Sequence, residues 1–375
     1  AGWGARFPSQ LKLLCASRDL LEWAARRRVA AHPRVRLLDG HRVDGLRGDH
    51  GRVTGVQVHP GGGRGEARTL AADLVVDASG RGSPAPRWLA ELGYRPPLET
   101  VVNAFLGYSS RTYRPPAGWQ AHWRGAYVQQ APPDGTRGGV MFPMDGGRWL
   151  ITLAGAARDW PPTDEAGFLE FARSLRDPIL YDAIRAAEPL GPIHGIRATA
   201  NRLRHYERLA DRPEGFLVLG DAACAFNPVY AQGMTIACMG AAALRQTLAA
   251  RRCRHPDGDL SGLARRFQQR LAKVNSAPWM LATGQDHRYP ATEGAPPPRI
   301  NTLLDRYLDR VVASSTEDPA ARLALLETFT MLRPPTALFR PRVMARVLTR
   351  TRGRNGPAQP AASPASDAQL RVPTR

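Results

Sequence analysis

A chain of 375 residues, 43% of them hydrophobic, can bury a large core, and its length points to two or three domains rather than a disordered polymer. Its 52 basic and 33 acidic residues give a formal charge of +19, which raises nucleic acid or an anionic membrane as a partner. Against that reading, Lys occurs only at Lys12 and Lys273, the many Arg are spread along the chain beside abundant Ala, Gly and Pro, and no basic and aromatic alternation suited to stacking bases occurs, so no nucleic-acid partner is expected.

In chain order, Ser17 to Val29 reads as a helix with Ser17 as cap, acidic residues early and Arg26 to Arg28 late. Val35 to Leu38, Val53 to Val58 and Asp73 to Asp77 then read as strands joined by Gly-rich turns. From about Thr100 to Ala200, alternating and aromatic residues (Tyr108, Trp123, Tyr127, Phe142) with Pro-Pro and Gly-Gly punctuation predict an antiparallel sheet. One helix interrupts it, capped by Thr163, with Phe168, Phe171 and Leu175 on one face. Phe216 to Leu219 is a short apolar strand, and the helix from Gly233 to about Ala250, apolar all round at its start, is expected to be buried. Three amphipathic helical faces follow, through Leu263, Phe267 and Leu271, through Leu304, Leu308 and Val311, and through Phe339, Val343 and Val347. From Thr351 the composition predicts a disordered tail.

Cys15, Cys224, Cys238 and Cys253 are isolated and the nine His are scattered, so no metal site or disulfide framework is expected. The most apolar stretch, Phe216 to Ala250, is broken by Asp221, Asn227, Pro228 and Gln232, so no transmembrane segment is predicted. With no charged-then-apolar leader after Ala1, a cytoplasmic location is the expectation.

The strongest motif is Gly220-Asp221-Ala222-Ala223-Cys224-Ala225-Phe226-Asn227-Pro228-Val229-Tyr230-Ala231-Gln232-Gly233-Met234. A buried strand ends at a Gly that admits close approach of backbone to a ligand, an Asp able to accept from sugar hydroxyls follows, and a Pro loop leads to a Gly at a helix start, where free amides and the positive helix end stabilise an anion. Taken alone, the same pattern also describes an ordinary strand-to-helix connection with a capping Asp. The segment resembles the second flavin-binding motif of the p-hydroxybenzoate-hydroxylase-like FAD oxidoreductases. Leu74-Val75-Val76-Asp77-Ala78-Ser79-Gly80-Arg81-Gly82-Ser83 is similar to that family's strand-and-turn element, and Ser17-Arg18-Asp19-Leu20-Leu21-Glu22 to its helix start carrying an Arg near the cofactor phosphates.

That resemblance, from about Leu13 to Leu348, implies an α/β fold of the three-layer FAD/NAD(P)-binding type with an inserted antiparallel-sheet substrate domain and C-terminal helices. The expected units are a strand segment of the substrate domain at 1–16, parts of the FAD-binding domain at 17–98 and 205–255, the substrate sheet at 99–204, a helical region at 256–350 and the tail at 351–375. It further implies FAD contacts from Arg18, Ser79, Gly80, Gly220, Asp221, Pro228, Gly233 and Met234, with Asp221 on the hydroxyls, Pro228 beside the ring and the backbone of Gly233 and Met234 at its pyrimidine edge. The implied reaction is a monooxygenation, NAD(P)H serving as transient reductant and dioxygen as oxidant, with a hydrophobic aromatic, polyketide or isoprenoid substrate under the sheet. No catalytic acid or base is identified.

Two departures qualify the match. Ala231 stands where relatives usually carry Gly. No G-x-G-x-x-G occurs, because the run Gly61-Gly62-Gly63-Arg64-Gly65-Glu66 has the wrong spacing and sits in a hairpin-like turn. The expectation is therefore a fragment of a longer protein, without its first βαβ unit. A polyene epoxidase shares the mechanism; a geranylgeranyl-reductase-like enzyme and a non-catalytic fragment that binds no FAD are the alternatives. A halogenase is disfavoured for want of a W-x-W-x-I-P segment.

Overall fold

The computed structural model describes residues 4–49, 51–61, 65–295 and 301–349. The central residues of the Gly run and the tail from Thr351 therefore lie outside the described residues. The Ser17 hydroxyl accepts from the Leu20 amide at 3.2 Å and starts α1 (Arg18–Ala30), as expected, yet α1 buries no residue. Residues 4–16 contain no strand, contrary to the expectation for 1–16, and Ala5 instead bonds through its amide to the Ser315 carbonyl at 3.0 Å. Val35 to Leu38 is not a strand either: no neighbouring strand satisfies its backbone groups, and Val35 and Leu37 are more than 40% exposed.

An antiparallel three-stranded sheet follows, of β1 (Arg42–Asp49), β2 (Arg52–His59) and β3 (Arg68–Ala71). Next come β4 (Val75–Asp77), α2 (Ala85–Glu91) and β5 (Glu99–Asn103). The region from 107 to 196 is the antiparallel sheet expected from its alternation: β6 (Gly107–Arg114), β7 (Ala126–Val128), β8 (Arg137–Pro143), β9 (Trp149–Gly155), α3 (Glu165–Arg173), α4 (Ile179–Ile184) and β10 (Glu188–Ile196). The strand order is β10-β6-β9-β8-β7. One face, through Tyr113, Met141, Trp149, Ile151 and Leu153, packs on Phe168, Phe171, Leu175, Leu180 and Ile184 of the two helices and their connection. The cap of α3 is Asp164, which accepts from the Gly167 amide at 2.8 Å, not Thr163 one residue earlier.

The chain returns through β11 (Asn201–Arg204), β12 (Phe216–Val218), β13 (Cys224–Ala225), α5 (Gly233–Arg254), α6 (Leu263–Asp286), β14 (Glu293–Gly294), α7 (Asn301–Ser314), α8 (Pro319–Phe329) and α9 (Pro341–Thr349). β12 lies parallel to β4, Phe216 opposite Val75 and Val218 opposite Asp77. A further four-stranded sheet has the order β13-β11-β5-β14. Leu263, Phe267 and Leu271 of α6 pack with Leu217, Val218 and Ala243. At Gly240 an added Cβ would lie 2.8 Å from Leu219 and 3.0 Å from Leu271, so this residue lets α5 close onto both.

The start of α5 is not buried as expected: Met234 and Met239 are 55% and 39% exposed, and only one stripe, from Ile236 through Gly240, Ala243 and Thr247 to Arg251, faces inward. In the C-terminal cluster Val311, Val343 and Val347 are buried, but Leu338 takes the place expected of Phe339, which stacks instead on Tyr307 at 4.8 Å. Among the described residues no helix is long and apolar enough to cross a membrane.

Candidate functional site

The site forms where β4 and β12 end side by side. Parallel strands release their next residues on the same edge of a sheet, the place where α/β folds bind ligands. The Leu219 amide donates to the Asp77 carbonyl at 2.8 Å, which holds the two exits together. After β4 the buried Asp77 carboxylate accepts from the Ser79 amide at 2.8 Å and from the Ser83 hydroxyl, shaping a turn around Gly80, whose φ of 87° suits glycine. After β12, Gly220 has φ 65° and Asp221 lies on a short 3-10 turn.

Asp221 is half-buried, and among the described residues no donor is bonded to its carboxylate. Burial raises its pKa, and the guanidinium groups of Arg81 and then Arg18 work against that rise. Arg81 is itself held in place by the carbonyls of Ala200 at 2.5 Å and Phe226 at 2.7 Å, and its burial lowers its own pKa. Tyr108 of β6 joins the group: burial raises its hydroxyl, while the charges of Arg18 and Arg81 lower it. Arg204, only 5% exposed, donates to the Ala222 carbonyl at 2.8 Å and to Glu99 at 2.8 Å, which anchors the Asp221 turn to β11 and β5.

Beyond Asp221 the chain makes a short 3-10 turn at Pro228–Tyr230, whose first amide with a free hydrogen, Val229, donates to the Asn227 side chain at 3.2 Å. Ala231 then adopts a left-handed conformation, φ 53°, and α5 begins at Gly233 with Gln232 before it making no capping bond. The amides of Gly233, Met234 and Thr235 have no partner among the described residues, so this helix start carries free donors and a positive dipole end. A Cβ on Gly233 would lie 3.7 Å from the Asp221 carboxylate, so the free acceptor lies close to the helix start that carries the free donors. The arrangement can accept from hydroxyls on one side and stabilise an anion on the other.

Of the expected residues, Gly220, Asp221 and Gly233 meet here. Ser79 and Gly80 form the adjoining turn. Arg18 comes within electrostatic range of Asp221 and Tyr108, although its side chain is 75% exposed and pairs with Glu22 at 2.6 Å. Pro228 and Met234 are exposed on the loop and the helix start. Sequence reasoning passed over Arg81, which stands inside the quoted strand-and-turn motif, and Tyr108, Arg204, Asn201 and Asp286, which no local pattern marks.

The second face of the five-stranded sheet leads away from Tyr108. The pairings Tyr127 with Val140 and Phe142 with Leu150 place these four residues on that face, and Tyr127, Phe142 and Leu150 are 64%, 40% and 36% exposed.

This arrangement, paired parallel strands feeding an Asp turn and a Gly-led helix beside an antiparallel sheet, defines the fold of the FAD-binding flavoproteins. Residues 15–247 match the family described as "FAD dependent oxidoreductase", and the chain belongs to it. It is 31% identical over 335 residues to protein Rv3254 of Mycobacterium tuberculosis, covering 88% of this chain and 69% of that one. Among solved structures it is similar to a flavoprotein/dehydrogenase of Cytophaga hutchinsonii, with TM-score 0.59, 15% identity, and coverage of 90% of this chain and 74% of that one. It is also similar to a triple mutant of a flavin-dependent brominase, with TM-score 0.53 and 14% identity over 71% of this chain. The chain spans 63% of that brominase's length.

Proposed function

We propose that this chain is the greater part of an FAD-dependent monooxygenase that uses NAD(P)H and dioxygen on a hydrophobic substrate. The observation that carries the reading is the half-buried Asp221 carboxylate, left without a donor beside a helix start whose three amides are free. A carboxylate in that state is unfavourable in an unliganded protein and becomes favourable once hydroxyl donors reach it. Asp221 holds the ribose or ribityl hydroxyls, and Gly220 keeps the backbone close. The amides of Gly233 and Met234 face the pyrimidine edge of the ring, and the exposed Pro228 lies beside it. Arg18 and Arg81 supply positive charge near the phosphates, with Ser79 and Gly80 lining the adjoining turn.

FAD, when bound, supplies the electron transfer and the activation of oxygen. The protein binds and orients the reactants and excludes water from them. The open face of the sheet, with Tyr127, Val140, Phe142 and Leu150, offers an apolar and aromatic wall for an aromatic, polyketide or isoprenoid substrate.

The test is a titration with FAD followed by flavin fluorescence. The wild-type chain binds, and Asp221→Ala binds more weakly by about 1.5–3 kcal/mol, the range for hydrogen bonds to a charged group. Equal affinity in the two proteins would sink the assignment of Asp221. Oxygen consumption with NAD(P)H then separates a monooxygenase from an enzyme that only reduces a double bond, since turnover without oxygen uptake is the outcome expected of the latter.

A further inference from the structure

The C-terminal end of α6 carries a carboxyl group, Asp286, that is 1% exposed and lies beyond the residues matched by the family. Its Oδ1 accepts from the Tyr230 hydroxyl at 2.5 Å and its Oδ2 from the Asn201 side-chain amide at 2.6 Å. Asn201 in turn accepts the backbone amide of Asn227 on its Oδ1 at 2.8 Å. The orientation of the Asn201 amide follows from chemistry: the Asn227 amide can only donate, so the oxygen must face it and the nitrogen must face Asp286.

Asn227 and Tyr230 bracket the turn that carries Pro228 and leads to Gly233. The two oxygens of one buried carboxylate therefore reach both ends of the loop proposed to lie at the flavin ring. We propose that Asp286 is a positioning residue that fixes this loop through Tyr230 and Asn201, and in its carboxylate form sets the geometry with which the loop and helix start meet the cofactor. The consequence for the cofactor rests on the FAD reading; the consequence for the loop does not.

The surroundings support a role that depends on charge. Tyr230 and Tyr289 lie near the carboxyl group, and each has its hydroxyl pKa raised by burial first and by the Asp286 charge second. Arg288 is engaged with Asp309 at 2.9 Å, and His287 Nε2 is buried without a partner. The Thr292 hydroxyl donates to the Asp286 backbone carbonyl at 2.5 Å and so does not engage the side chain. Among the described residues no cation pairs with Asp286, and burial pushes its pKa up to about 7 against the hydrogen bonds from Tyr230, Asn227 and Asn201. As a carboxylate, Asp286 accepts from both arms. Once protonated it must place a hydrogen toward one of them, and the Asn201 nitrogen cannot accept it.

The experiment compares hydrogen exchange at the amides of Asn227 and Val229 in the full chain without FAD, for wild type, Asp286→Ala and Asp286→Asn, at pH 6 and pH 8. Exchange roughly tenfold faster in Asp286→Ala at pH 8 is expected, since local opening of a loop follows the loss of its buried bonds. The ratio of Asp286→Asn to wild-type exchange, which cancels the intrinsic effect of pH, is expected to be larger at pH 8 than at pH 6. FAD affinity is expected to fall roughly tenfold in Asp286→Ala, the equivalent of one net bond to a charged group. Unchanged exchange at both amides overturns the proposal, as does a ratio that does not depend on pH. Faster exchange in a chain whose wild type binds no FAD supports the loop clamp and sinks the FAD reading instead. If Asp286→Ala fails to fold, Asn201→Ala and Tyr230→Phe each release one arm and carry the same readout.

Discussion

Behind the five-stranded sheet, Tyr113, Ile151, Leu153, Phe168, Leu180 and Ile184 are each at most 2% exposed and fill the space between sheet and helices. The parallel pair β4 and β12 also has a buried core, through Leu217, Val218 and Phe267, but the edge where its strands end leaves polar groups unmet. There, among the described residues, the Asp221 carboxylate lacks a donor and α5 lacks a side-chain cap, while α1, whose Arg18 charge reaches Asp221, buries no residue. The two regions obey the same rules of burial and hydrogen bonding; behind the sheet one buried hydroxyl, that of Tyr113, lacks a partner among the described residues, whereas at the strand exits a carboxylate and a helix start are left unmet side by side. A region complete in itself acts as a scaffold, whereas one with unmet polar groups at its centre is arranged for something other than itself.

The largest effect tests the closed side. Phe168→Ala removes a fully buried ring between sheet and helix and is expected to cost about 3–5 kcal/mol of stability in denaturant unfolding, because the sheet on one side and α4 on the other limit collapse of the cavity. A loss below about 1 kcal/mol would mean that this region is not closely packed, and the comparison would break.

A smaller effect of opposite sign tests the open side. Burial raises the Asp221 pKa in the folded chain above that of an unfolded aspartate. A group so shifted favours the folded state fully at pH below the unfolded value, and that contribution is lost as pH rises through the folded one. Asp221→Asn is therefore expected to leave the FAD-free chain more stable than wild type at neutral pH, with the advantage shrinking as pH falls into the carboxylate range, while FAD affinity drops. Thermal unfolding of both proteins between pH 4 and pH 8 reads this; a constant difference would mean that Asp221 is already satisfied without a ligand.

How far each region could be read from sequence follows from the same contrast. The closed sheet was legible because alternation and helical period report which side of an element is buried, and Phe168, Phe171 and Leu175 were found by that period alone. The turn chemistry at Gly220, Asp221 and Gly233 was legible because it is local. The hydrogen-bonded group of Asn201, Tyr230 and Asp286 was not, since Asn201 and Asp286 are 85 residues apart and each member is an ordinary polar residue in its own neighbourhood. The misread helix start shows the opposite failure: Met234 and Met239 are apolar but exposed, and hydrophobicity without knowledge of what covers a surface does not report burial.

The smallest effect sharpens the comparison at one residue. Ala231 lies between the clamped turn and the helix start with φ 53°, a left-handed conformation that costs a residue with a Cβ about 1–2 kcal/mol relative to glycine. Ala231→Gly removes that cost, but glycine also loses about 0.4–1 kcal/mol more through its freer unfolded chain. The two partly offset, so stability is expected to rise by no more than about 1.6 kcal/mol. If the loop is held by its clamp rather than by the local preference of residue 231, FAD affinity changes by less than about twofold, well under one hydrogen bond. A clear gain in affinity with no change in stability would instead show that the Cβ of Ala231 bends the loop away from the position the cofactor needs, and the departure at this residue would then mark a site still under strain.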